Sequence, residues 1–79
     1  MPPARRVPSY ERVADDMRRR IASGEWPPGH QIPTLNSLAS EHGVALRVVE
    51  RAQDMLKWEG LLIGHQGKGV FVAESPPTT

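Results

Sequence analysis

Between Pro33 and Val72 two short amphipathic segments flank one glycine, and a pair of apolar triplets then follows around a glycine-rich tip. Few folds accept that order. The first segment, Leu35 to His42, reads as a helix, with the Thr34 side-chain oxygen capping its free N–H groups and Gly43 as its left-handed stop. Gly43-Val44-Ala45 is the turn. A second helix runs from Leu46 to about Glu59, ends at Gly60 and feeds Leu61-Leu62-Ile63, the tip Gly64 to Gly69, and the returning Val70-Phe71-Val72. The pattern predicts a mostly α chain with a small β-hairpin: a winged helix-turn-helix of three helices plus wing. A groove-sized helix beside a backbone-hugging hairpin is an arrangement that reads nucleic acid.

The remainder of the chain is consistent with that frame. Ser9 can cap a first helix of about fourteen residues in which Tyr10, Val13, Ala14, Met17 and Ile21 recur at helical spacing, with Gly24 closing it. Trp26-Pro27-Pro28-Gly29 is a rigid turn, with Trp26 expected over the core. Gln31-Ile32-Pro33 is extended, since the residue before proline avoids helix, and is placed to add an edge strand beside the wing. Residues 1–8 hold three prolines and Arg5-Arg6, and residues 74–79 end in Pro-Pro-Thr-Thr. Neither stretch offers a packing face, so a flexible arm and a flexible tail are expected around a domain at residues 9–73.

At 79 residues the chain is one domain at most, and a chain this short buries only about 60–65% of its unfolded surface. That leaves no room for a catalytic cleft with walls. No nucleophile, base and orienting group converge in the sequence, so an enzyme is disfavoured. There is no cysteine, which suits a reducing cytoplasm. No apolar run approaches a membrane span or a signal peptide. The net charge is only +1, so an argument for DNA rests on where the charges sit, not on their sum.

Tyr10, Ile21-Ala22-Ser23-Gly24-Glu25, Pro28-Gly29, Ile32-Pro33, Leu38-Ala39, Gly43-Val44, Glu59-Gly60-Leu61 and Gln66-Gly67-Lys68-Gly69-Val70-Phe71-Val72 recur in an order that resembles the DNA-binding domain of GntR-family bacterial transcription regulators. The resemblance covers roughly residues 9 to 73. It implies a cytoplasmic regulator, most simply a repressor, that acts at the bacterial nucleoid. Two copies would sit on an inverted-repeat operator of double-stranded DNA, as a homodimer on that DNA. Such regulators usually carry a larger C-terminal domain for a small-molecule effector. The sequence favours neither an excised portion of such a protein nor a reader alone, and no small-molecule site, cofactor or membrane contact is expected within these residues.

The resemblance also exposes a departure. The family commonly has arginine or another polar reader shortly after the first proline and at the start of the recognition helix, whereas the matching positions here are Asn36, Ala45, Leu46, Val48 and Glu50. Leucine and glutamate cannot replace the bidentate arginine–guanine contact. At about 100° per residue, Val49, Ala52, Met55 and Leu56 share a core side, while Arg47, Arg51, Asp54 and Trp58 share the opposite one. Arg47 and Arg51 are therefore candidate readers or phosphate clamps, with Ala45, Leu46 and Val48 suited to thymine methyl groups and Glu50 to a cytosine amino group. A competing reading makes Arg47, Glu50, Arg51 and Asp54 a solvated face of internal ion pairs. Ala45 supplies no capping oxygen, which costs this helix about 1 kcal/mol.

On the wing, Gly67 and Gly69 let the backbone approach another chain closely, and Gln66 and Lys68 supply an amide and a cation for a minor groove or its phosphate edge. The expected DNA-contacting set is thus Thr34, Asn36, Ala45, Leu46, Arg47, Val48, Glu50, Arg51, His65, Gln66, Gly67 and Lys68. His30, His42 and His65 are scattered without cysteine or His-x-x-x-His spacing, so they read as surface residues and no metal site is expected. Arg18-Arg19-Arg20 complements the dipole at the end of the first helix. An alternative function is a winged-helix protein-interaction module with weak base readout, using Leu46, Val48 and the outward Trp58.

Overall fold

Three helices and a hairpin follow one another in the computed structural model, which describes residues 9–74: α1 (Ser9–Ser23), α2 (Leu35–His42), α3 (Leu46–Trp58), β1 (Leu62–His65) and β2 (Gly69–Val72). The winged helix-turn-helix expected from the sequence is the observed architecture. The arm at residues 1–8 and all of the tail beyond Glu74 lie outside the described residues.

Each helix forms where the apolar spacing and caps put it. Val13, Ala14 and Met17 turn one face of α1 inward, and the chain leaves that helix through a bond from Gly24 N–H to the Ile21 carbonyl at 3.2 Å. Helix α2 begins at Thr34, whose hydroxyl accepts from Ser37 N–H at 3.1 Å, and it stops at Gly43 with φ 67°. Helix α3 starts at Ala45 with no side-chain cap. Its buried stripe is Val49, Ala52, Gln53 and Leu56. Met55, expected in the core, is half-buried and packs at its edge, while Gln53 is buried.

Met17, Leu38, Leu56, Val13 and Val49 form the centre of the core, ringed by Trp26, Ile32, Leu62 and Val72. Burying a side chain of this size stabilises by about 1.5–3 kcal/mol. Helix α1 packs on α3, and α3 in turn touches α2 and β1.

The hairpin pairs Leu62 with Val72, Ile63 with Phe71, Gly64 with Val70 and His65 with Gly69. Strand β1 thus continues through Gly64 and His65, which the sequence places in the tip, and the connection shrinks to Gln66-Gly67-Lys68. Cross-strand pairing satisfies backbone groups that a six-residue loop would leave to water. The chain before α2 adds a rung to β2: Gly29 N–H donates to the Val72 carbonyl, Val72 N–H to His30, and Ile32 N–H to Val70, each at 2.9 Å. The expected edge segment is present as a single bridge, Gln31 to Phe71.

The basic end of α1 is held by acids. Arg18 donates to Glu59 at 2.5 and 2.8 Å and to Asp15 at 2.5 Å, clamping α1 to the end of α3. Arg19 pairs with Asp16. Arg20 pairs with Asp16 at 3.0 Å and with Glu41 of α2, and its guanidinium lies 5.3 Å from the Trp26 ring centre. The hydrogen bond from Arg20 holds the Glu41 carboxyl below its usual range, and the bond from Arg18 does the same for Glu59. His42 is not a free surface residue as the sequence suggests: its side chain is four-fifths covered, with Nε2 3.2 Å from Asp16 Oδ2. Asp16, Glu41 and His42 therefore meet in space, but both carboxylates already pair with Arg20.

Candidate nucleic-acid interface

The Thr34 cap fixes where α2 begins, so Asn36 stands exposed at its first turn. The Gly43 turn then delivers Ala45, Leu46 and Arg47 to the exposed start of α3, where Leu46 keeps 44% of its surface in solvent. Val48 differs: it is half-buried against the core, so it offers less apolar surface than the sequence reading assigned it.

An open cleft of 680 Å³ runs between the N-terminal end of α2, one side of α3 (Glu50, Gln53, Asp54 and Lys57) and the root of the wing. It brings together Thr34, Asn36, Glu50 and Lys68, four of the residues expected from the sequence. A second hollow on the wing collects His65, Gln66, Gly67 and Lys68. The His65 ring stands edge-on to Phe71 at 5.0 Å. Lys68 N–H donates to the His65 carbonyl at 2.9 Å and closes the tip.

Arg51 does not join this group. Its guanidinium lies 4.4 Å from the centre of the Tyr10 ring, on the flank of α3 that faces α1, and it lines a separate hollow with Met55 and the 90% exposed Trp58. One helical turn of spacing put Arg47 and Arg51 on one face, but the neighbouring aromatic ring holds Arg51 to the side. The internally paired face does not form either: among the described residues, no ion pair joins Arg47, Glu50, Arg51 and Asp54. Arg47 and Lys68 are thus cations without an acidic partner within 4.0 Å among the described residues.

Three polar cleft residues, Gln31, Gln53 and Lys57, were not among the expected site residues. Gln53 and Lys57 follow Glu50 at intervals of three and four residues, a helical repeat that lies between the core side and the Arg47 side and belongs to neither. Lys57 lies against Gly64 of β1, so it connects the cleft with the wing hollow. The third, Gln31, was expected beside the wing as part of the extended segment, but nothing in the sequence marked its side chain for the cleft.

The family described as "Bacterial regulatory proteins, gntR family" matches residues 9–72, nearly all that the structure describes. The chain belongs to the GntR family. Its relatives include the histidine utilization repressor of Pseudomonas aeruginosa, 42% identical over 68 residues, covering 86% of this chain and 27% of that protein. The mannosyl-D-glycerate transport/metabolism system repressor MngR of Escherichia coli is 39% identical over 67 residues, covering 85% of this chain and 28% of that protein. This GntR chain therefore spans little more than a quarter of the length of these curated relatives. Among solved structures, the AraR DNA-binding domain in complex with operator ORE1 superposes with a TM-score of 0.87 at 33% identity, covering 92% of this chain and 89% of that one.

Proposed function

We propose that this GntR-family chain is the sequence-specific DNA-reading part of a bacterial transcription regulator, most simply a repressor that occupies its operator. The observation that carries the reading is the cleft joining the start of α2, one side of α3 and the wing, with Lys68 on its wall and Arg47 exposed at the start of α3, both without an acidic partner among the described residues. The start of α3 enters the major groove, with Leu46 against a thymine methyl, Arg47 at a base edge or phosphate and Glu50 toward a cytosine amino group. Thr34 and Asn36 approach the backbone from α2. The wing lays Gln66, Gly67 and Lys68 at the adjacent minor groove or its phosphate edge, with His65 behind them. The family resemblance and the AraR operator complexes support this reading.

One such module buries only about 600–1,000 Å² on DNA, so tight operator binding takes two copies on an inverted repeat. Among the described residues no long apolar helix is left over for dimerisation, and the free chain is expected to be monomeric. Selection of bound duplexes from a random pool, followed by a salt titration on the selected site, tests the proposal. The expected result is a two-fold symmetric motif, with log K falling against log salt at about 0.9 per contact for about three to five contacts per protomer. Absence of binding to any duplex at low salt would overturn it and favour the protein-interaction module built on Leu46 and Trp58.

A further inference from the structure

Lys68 sits between Gly67 and Gly69, with φ angles of 80° and 124°, and glycine on both sides is the arrangement least able to hold a side chain in place. Something else must hold it. Lys68 N–H is tied to the His65 carbonyl, but that bond leaves the far side of the residue free. The Gln31 side chain supplies the missing restraint: its Nε2 donates to the Lys68 carbonyl at 2.8 Å. Gly69 makes the seat for that amide, since a Cβ there would collide with the Gln31 nitrogen.

Gln31 is itself well placed to transmit position. Its backbone bridges Phe71 of β2, and the next residue, Ile32, is buried in the core and bonded to Val70. Three residues on, Thr34 caps α2. One short extended segment therefore grips the wing tip at one end and sets the start of the helix-turn-helix at the other.

We infer that Gln31 is a positioning residue that fixes the wing tip relative to the helix-turn-helix, acting through the Lys68 carbonyl so that the Lys68 ammonium meets DNA preorganised. The inference rests on the DNA-reading proposal above for its consequence, but not for its structural half. Preorganisation raises affinity by removing the entropy of ordering the tip on binding.

The test uses the full 79-residue chain. Gln31→Leu keeps the bulk of the side chain and removes the donor, and Lys68→Ala removes the cation while leaving the carbonyl that Gln31 grips. Gln31→Leu should weaken binding to the selected operator roughly three- to tenfold, the worth of one hydrogen bond. In the Lys68→Ala background the same change should cost less than about twofold, a coupling that a general loss of stability would not produce. In the free protein, backbone ¹⁵N order parameters of Lys68 and Gly69 should fall while those of Leu38, Val49 and Leu56 stay unchanged. Gln31→Glu, which cannot donate when ionised, should loosen the tip in the same measurement, so a leucine variant that folds poorly does not decide the matter.

Unchanged order at Lys68 and Gly69 in the folded variants would overturn the restraint. Loosened order with unchanged operator affinity, or effects of Gln31→Leu and Lys68→Ala that simply add, would overturn the positioning role. A wild-type chain that binds no duplex would instead overturn the DNA-reading proposal, with the order parameters still deciding whether Gln31 holds the tip.

Discussion

The two basic regions of this molecule use their charge in opposite ways. At the end of α1 three consecutive arginines are spent on Asp15, Asp16, Glu41 and Glu59. At the start of α3 and on the wing tip, Arg47 and Lys68 face solvent without an acidic partner among the described residues. A net charge of +1 is therefore a poor guide to where charge is available, because pairing consumes the three arginines at the end of α1 and leaves Arg47 and Lys68 without an acid. Under the proposed function the denser basic cluster in the sequence belongs to folding, and the sparser one to the DNA.

Substitutions on the two sides should separate cleanly. Arg47→Ala carries the largest expected effect: operator affinity falls by about 1–3 kcal/mol and preference relaxes at one base pair, while stability shifts by less than about 0.5 kcal/mol. Competitive binding against a panel of single-base operator variants, alongside urea unfolding, checks both halves. Equal weakening across every site would make Arg47 a phosphate clamp.

Arg20→Ala should show the reverse pattern. It strips Glu41 of its cation, leaves Asp16 with Arg19 as its only arginine and uncovers Trp26, and the expected cost is about 1–2 kcal/mol of stability, between the values for exposed and buried pairs. Affinity per folded molecule should be unchanged. A loss of affinity larger than the loss of folded protein would show that the α1 end also meets DNA.

Ala45→Ser probes the border between the two regions, where α3 leaves the turn without a cap although the backbone, at φ −74° and ψ 156°, is already set for one. The serine oxygen should stabilise the chain by about 1 kcal/mol, read as a higher urea midpoint at constant slope. If operator affinity falls as stability rises, the uncapped start of α3 is needed by the DNA contact.

The smallest effect is that of acid. Glu41 and Glu59 hold their protons less tightly in the folded chain, so their pairs contribute fully above the ordinary carboxylate value, about 4.3. That contribution is lost as the pH falls through their lower native values, where the folded state must take up protons. Both carboxylates are more than a third exposed, so screening keeps the sum below about 1 kcal/mol. Thermal unfolding followed downward from neutral pH measures it, and the double variant Glu41→Gln/Glu59→Gln should flatten the acid limb.

The elements of this protein were legible in the sequence because each rests on local physics. Thr34 and Gly43 bound α2 through a side-chain oxygen and a left-handed φ, and the buried stripes of α1 and α3 follow the helical period. The side chains' partners were not legible, because contacts between distant segments have no period to read. Arg51 looked like the twin of Arg47 until Tyr10, forty-one positions earlier, took it. His42 passed for a surface residue until packing brought Asp16 of α1 to it. The sequence alone thus determines three helices, a hairpin and a turn of fixed order, since backbone preference and hydrophobic spacing act within a few residues. Only tertiary structure decides which arginines are free, how long the wing tip is and that Gln31 reaches Lys68, since burial and pairing depend on residues the chain brings together only when it folds.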